Sequence, residues 1–152
     1  AIGLEITSGI TNPDKLNNVV VEGPSDWYYL TAFKTILDDG QLNFIYGGGS
    51  GNMPKVGTIL HGWGCKVLYL YDSDQGKKDG EKNLTKRWLV EKAQIKAVSD
   101  SDGVRIEDLF TQEDFINHVI EDSSKTYKSS NSEYVTKAKA DKVLLAKKYS
   151  MF

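Results

Sequence analysis

Apolar runs closed by glycine or polar turns alternate along the chain with stretches of helical spacing. Residues 18 to 22 contain Val19, Val20 and Val21, a β-branched run suited to a strand buried on both faces of a parallel sheet. Glu22-Gly23-Pro24-Ser25 stops it, and Ser25 can cap a helix begun there. Residues 26 to 37 set Leu30, Phe33 and Leu37 at helical spacing, and Asp38-Asp39-Gly40 ends that helix. A second strand is predicted over 42 to 46, a glycine loop over 47 to 51 and a second helix over 52 to 63, ended by Gly64. A third strand over 66 to 71 carries Val67-Leu68-Tyr69-Leu70-Tyr71. A polar loop over 72 to 80, a third helix over 81 to 92 and a fourth strand over 95 to 98 complete the series. Strands separated by helical patterns imply right-handed crossovers, so an α/β fold with a mostly parallel sheet of about four strands flanked by helices is expected.

The pattern changes after Val98. Ser99 to Gly103 is a polar turn and Arg105 to Phe110 a short mixed segment. Thr111 and Asp114 match a capping pattern that opens a helix with Phe115 and Val119 on one face. A Ser/Lys/Asn loop over 123 to 132 leads to a lysine-rich helix over 134 to 149. Residues 1 to 17 read as a lead-in with one short strand. The expected organisation is therefore a lead-in (1–17), a catalytic α/β domain (18–121), and a loop with a C-terminal helical extension (122–152). Trp27, Trp63 and Trp88 all fall in predicted helices and read as core residues.

Composition fits one globular domain: of 152 residues, 39% are hydrophobic and 26% charged. No apolar run approaches the roughly 20 residues that span a bilayer, and the N-terminus lacks the order of a signal peptide. A cytoplasmic location and no membrane association are expected. Cys65 has no disulfide partner, and with two distant histidines it offers no zinc spacing. The first residue, Ala1, and the end on a lysine-rich segment lead us to expect a piece of a longer protein. The net charge of −2 argues weakly against nucleic-acid binding, but the distribution is uneven. From Glu121 onward seven lysines face four acids, and the acidic excess lies in the preceding part.

Two acidic groups fall at carboxyl ends of predicted strands: Glu22 after the first, and Asp72-Ser73-Asp74 after the third. In open α/β sheets, sites form at such ends, where the winding direction reverses. Converging carboxylates repel one another unless protonated or neutralised by a cation, and hard oxygen donors suit Mg²⁺ or Mn²⁺ rather than zinc. Taken singly, Glu-Gly-Pro-Ser and Asp-x-Asp are ordinary turn and cap sequences. Gly48 and Gly49 in the glycine loop, and Ser73 between the two aspartates, are candidate phosphate contacts. No lysine comes after the glycines in the order of an ATP-binding loop. The Asp-Ser-Asp start also fails as a calcium loop, with Lys77 where glycine belongs and Asn83 where the closing acid belongs.

The segments Val19-Val20-Val21-Glu22-Gly23-Pro24-Ser25-Asp26 and Leu68-Tyr69-Leu70-Tyr71-Asp72-Ser73-Asp74-Gln75-Gly76 resemble the motifs of Toprim domains. With Gly47-Gly48-Gly49 and Ile106-Glu107-Asp108-Leu109-Phe110, the likeness points to the OLD (overcoming lysogenization defect) nucleases and covers about residues 18 to 115. The resemblance implies a Toprim fold and a DNA endonuclease with two Mg²⁺ or Mn²⁺ ions. Glu22, Asp26, Asp72 and Asp74 would hold metal, and Glu107 or Asp108 would complete a second position. Being adjacent, these last two would face opposite ways on an extended segment, which favours Glu107. Glu22 and Asp72 would be catalytic, together with a C-terminal lysine. Lys142, in Asp141-Lys142-Val143-Leu144-Leu145-Ala146, is the best local match, although Lys137, Lys139, Lys147 and Lys148 lie close and a solvated basic face is the alternative. The implied partners are DNA and an ABC-type ATPase domain of the same full-length protein, through which the protein could oligomerise.

Two other functions fit the same residues. One is a Toprim-fold regulatory module that binds metal without turnover. The other is a phosphoacceptor domain using Asp72, against which stands the single acid, Glu22, after the first strand where such domains carry a pair.

Overall fold

A computed structural model describes residues 13 to 151 apart from positions 15, 16, 39, 74 and 89, and leaves aside the side chains of 75 to 77 and 79. Four strands, β1 (Asn18–Val21), β2 (Asn43–Tyr46), β3 (Val67–Tyr71) and β4 (Ile95–Ala97), form one all-parallel sheet in the order β2-β1-β3-β4. β1 is buried along its whole length, as its unbroken valine run requires for a central strand.

Helix α1 (Pro24–Ile36) links β1 to β2, α2 (Met53–Gly62) links β2 to β3 across β1, and α3 (Gln75–Arg87) leads from β3 towards β4. The first step out from β1 goes one way and the next two go the other, so the winding reverses between β1 and β3. On one face of the sheet Val20, Ile45, Val67, Tyr69 and Tyr71 pack with Met53 and Leu60 of α2 and Leu84 of α3. Gly57 and Gly80 allow these helices to approach: a Cβ at Gly57 would stand 1.8 Å from the Tyr69 hydroxyl, and one at Gly80 would stand 2.6 Å from the Tyr71 ring.

The second hydrophobic cluster joins α1 to the segments beyond β4. Tyr28 and Tyr29 of α1 pack with Ile106, Phe115, Val119, Val135 and Ala146. Ile106 belongs to a 3-10 turn (Ile106–Leu109), while Phe115 and Val119 lie in a π-helical turn (Phe115–Ile120) that extends α4 (Gln112–Asp114). Val135 and Ala146 come from α5 (Asn131–Lys137) and α6 (Lys142–Tyr149). Thr111 caps α4, its hydroxyl accepting the Asp114 N–H at 3.1 Å. A boundary at residue 121 thus separates no two cores, because residues 122 to 151 complete the layer over α1.

Four local expectations differ from the structure. Ser25, expected to cap the first helix, lies inside α1, whose cap is Gly23 with its N–H held by Asp26. The helix expected over 81 to 92 runs from Gln75 to Arg87, since its first turns are polar and glycine-rich and show no apolar periodicity. The single helix expected over 134 to 149 is two, broken where Lys139 turns left-handed (φ 52°) and Asp141 caps α6 through the N–H groups of Val143 and Leu144. Trp27 is half-buried with its indole N–H donating to Phe44 O, but Trp63 and Trp88 are 58% and 39% exposed. Both sit at the ends of helices, beyond the part each helix buries. The short strand expected in the lead-in falls largely outside the described residues.

Candidate active site

Val21 is level with Leu70, so Glu22 and Asp72 leave adjacent strands within one residue of the same height, on strands about 4.8 Å apart. They meet at the point where the winding reverses. Helices α1, α2 and α3 all begin at this edge, turning the positive ends of their dipoles towards it.

Asp26 lies on the first turn of α1, 6% exposed, where its Oδ2 accepts the Gly23 N–H at 2.7 Å. It therefore caps the helix and also belongs to the acidic group. Glu107 comes from the far side of the second cluster and is 2% exposed. Its turn is held from outside: the Asn131 amide donates to Glu107 O at 2.9 Å and to Phe110 O at 3.0 Å. Asp108, the neighbouring acid, is committed to that scaffold. Its carboxylate accepts Ser132 N–H at 2.8 Å, the Ser132 hydroxyl at 2.7 Å and Arg105 N–H at 3.2 Å. The sequence offers both residues as ligands; the structure brings Glu107 to the acidic group and uses Asp108 as its brace. Because the segment is a 3-10 turn rather than a strand, the divergence of the two side chains comes from these hydrogen bonds.

The electrostatics tie the acids together. Burial pushes the Asp72 carboxyl up to about 7, and the charges of Asp26, Glu107 and Glu22 push the same way while Lys142 opposes them. Burial likewise raises Asp26 to about 6; the Gly23 N–H and Lys142 lower it, while Glu107 and Glu22 raise it. Lys142, first residue of α6, is thus the C-terminal lysine whose charge reaches both aspartates. Asp72 Oδ1 and Glu107 Oε1 are buried and have no hydrogen-bond partner among the described residues. Asp74 lies outside the described residues.

The proposed phosphate contacts divide. Gly48 and Gly49 both have positive φ (76° and 90°), which glycine adopts without strain, and the loop lies close along the end of β1. Gly47 N–H donates to Val21 O at 2.8 Å and Gly49 N–H to Glu22 O at 3.0 Å, so the Gly49 amide is spent. Ser73 is also spent. Its hydroxyl donates to Ser99 O at 2.6 Å and accepts Ser99 N–H at 3.0 Å, and its own N–H goes to Val104 O at 2.9 Å. That side chain fastens β3 to the turn after β4 and is not available to a phosphate.

Two tyrosines escaped the sequence reading. Tyr29, one turn beyond Asp26 on α1, and Tyr71, the last residue of β3, have buried hydroxyls with no hydrogen-bond partner among the described residues. Burial holds both phenols protonated; Glu107 adds to this at Tyr29 and Glu22 at Tyr71. The signal for Tyr29 was its i+3 spacing from Asp26.

Hard carboxylate oxygens, two of them buried without a partner, fit a divalent cation such as Mg²⁺ or Mn²⁺. Among the described residues, no three His, Cys, Asp or Glu side chains already close on one point as a metal-ligating group. The acids stand in one another's field without forming a finished coordination shell. Among the same residues no helix is long and apolar enough to cross a membrane. The chain is an α/β protein of Rossmann-like topology with an acidic group at its switch point. No family model, curated protein or solved structure matches it.

Proposed function

We propose that this chain is a Toprim-type catalytic domain of the OLD nuclease kind, hydrolysing DNA phosphodiester bonds with divalent metal. The observation that carries the reading is the meeting of Glu22 and Asp26 from the β1–α1 junction, Asp72 from the end of β3 and Glu107 from the 3-10 turn, with the charge of Lys142, at the β1/β3 switch point. A structural acid does not need three others beside it, and their repulsion is a standing cost that a cation would remove.

In this reading Glu22, Asp26 and Asp72 hold one Mg²⁺ or Mn²⁺ ion, and Glu107 contributes to a second, with Asp74 joining on the strength of the sequence motif. When bound, the ions supply Lewis acidity towards water and phosphate. The chain's own residues orient and balance charge. Lys142, which already offsets Asp26 and Asp72, is the cation available to the negative charge that builds on phosphorus during attack. Gly48, whose amide takes no part in the bonds to β1, can donate to a phosphate oxygen. Asp26 keeps the N-terminal turn of α1 in place while serving the site. An ABC-type ATPase domain of the same full-length protein would supply further grip on DNA.

The test is nicking of supercoiled plasmid with Mg²⁺ or Mn²⁺, and its loss in Glu22→Gln and in Asp72→Asn. Nicking that survives both substitutions defeats the proposal. The same acids would also serve a second reading, a module that binds metal without turnover. Calorimetric Mn²⁺ binding with no cleavage of any DNA or RNA form would select it.

A further inference from the structure

At the other end of α3 from the acidic group, two adjoining hollows share one side chain. The larger, about 430 Å³, lies between the C-terminal ends of α2 and α3 and is lined by Thr58, His61, Arg87, Trp88, Val90 and Gln94. The smaller, about 250 Å³, is lined by Lys82, Asn83, Lys86 and Arg87. The first has an aromatic wall and the size of a small-ligand pocket, roughly 300–1,000 Å³. The second is a cluster of cations.

Lys82 and Lys86 are four residues apart and so share a helix face, with Arg87 beside them. None of the three is ion-paired among the described residues. The nearby acid Glu81 is already paired with Lys92 at 3.1 Å. Trp88 stays 39% exposed, which leaves an indole surface unused by the core. An uncompensated cationic row next to an aromatic pocket matches the two parts of a nucleotide: phosphate for the row, base for the pocket. An acidic peptide would use the cations and leave the indole idle.

We propose that this end of the molecule binds a single strand of nucleic acid, one base seated in the Trp88 pocket and its phosphates on Lys82, Lys86 and Arg87. Along α3 the contact begins about 10 Å from the start of the helix, at Lys82, and ends about 20 Å from it, at Trp88, which sets it apart from the acidic group. The inference stands apart from the nuclease reading, since it involves none of the carboxylates, and each can fail alone.

The experiment is fluorescence anisotropy of a labelled oligothymidylate of roughly 15 nucleotides, titrated with the whole chain in EDTA, where no metal-dependent cutting occurs. Trp88→Ala should weaken binding roughly tenfold or more through lost stacking. Arg87→Gln should lower the slope of log affinity against log salt by roughly 0.7, the value for one phosphate contact on a single strand. If the Trp88 variant melts early, Lys86→Glu at an exposed position carries the test, with the same direction of loss. Affinity unchanged in Trp88→Ala and Lys86→Glu overturns the proposal, as does competition by polyglutamate at the same charge concentration as effective as that by unlabelled oligonucleotide.

Discussion

Replacing Asp72 with asparagine should stabilise the metal-free protein at alkaline pH and leave it nearly unchanged in acid. The folded Asp72 carboxyl titrates near 7 against an ordinary value of 3.8, because it is buried and faces Asp26, Glu107 and Glu22. A carboxyl whose folded pKa is raised holds its proton more tightly in the folded chain, so its contribution to stability is greatest below about pH 4. That contribution is lost as pH climbs from about 4 to about 7 and is level above. At pH 8 the wild-type chain bears the full cost of ionising Asp72. At about 1.36 kcal/mol per pKa unit that cost has an upper limit of about 4 kcal/mol, and shared repulsion with Asp26 brings it to about 2–4 kcal/mol. Asparagine keeps the shape and carries no charge. Urea unfolding in EDTA should therefore give Asp72→Asn a gain of about 2–4 kcal/mol at pH 8 and under about 1 kcal/mol at pH 4. A gain independent of pH, or a loss at pH 8, would refute the argument that burial and the neighbouring acids raise the Asp72 carboxyl.

Two further outcomes are expected from groups around the site. Asp108→Ala should cost about 1–3 kcal/mol in urea unfolding, since it orphans the Ser132 N–H and hydroxyl and the Arg105 N–H; any plasmid nicking per folded molecule should fall less than in Glu107→Gln, because the Glu107 carboxyl is kept. Tyr29→Phe removes a buried hydroxyl that has no partner among the described residues, so thermal unfolding in EDTA should show equal or higher stability, by up to about 1–2 kcal/mol. A clear loss of stability in Tyr29→Phe would mean that the hydroxyl is hydrogen-bonded after all.

The centre of the sheet was readable because its strands are apolar on both faces, so Val19 to Val21 and Val67 to Tyr71 stand out without any helical period to confuse them. The acids that end those strands were legible for the same reason: position, more than residue type, singled out Glu22 and Asp72. Elsewhere the code was weaker. The first turns of α3 lack apolar residues, and Gly80 there stands close against the Tyr71 ring, a contact between segments that no local period shows. The break between α5 and α6 depends on one left-handed residue, Lys139, in a run whose composition favours continuous helix. Ser73 and Asp108 carry the right chemistry for a site, yet their hydrogen bonds go to Ser99 and Ser132, partners far along the chain that no local pattern reveals. Lys142 was the best local match among several lysines, but what brings its charge to Asp26 and Asp72 is the packing of α6 against α1, which no local pattern reveals.

That packing also bears on when the site can exist during synthesis. Glu22, Asp26 and Asp72 belong to the first half of the chain, and the sheet that carries two of them can pair once β3 has emerged from the ribosome. Glu107 is braced by Asn131 and Ser132, and the balancing Lys142 opens α6. A nascent chain paused before α6 would hold all four acids without Lys142, and α1 without the cover that α6 gives it. The charge of Lys142 reaches Asp26 and Asp72 only after α6 has been made and docked, so any shorter nascent chain carries these acids without that offset.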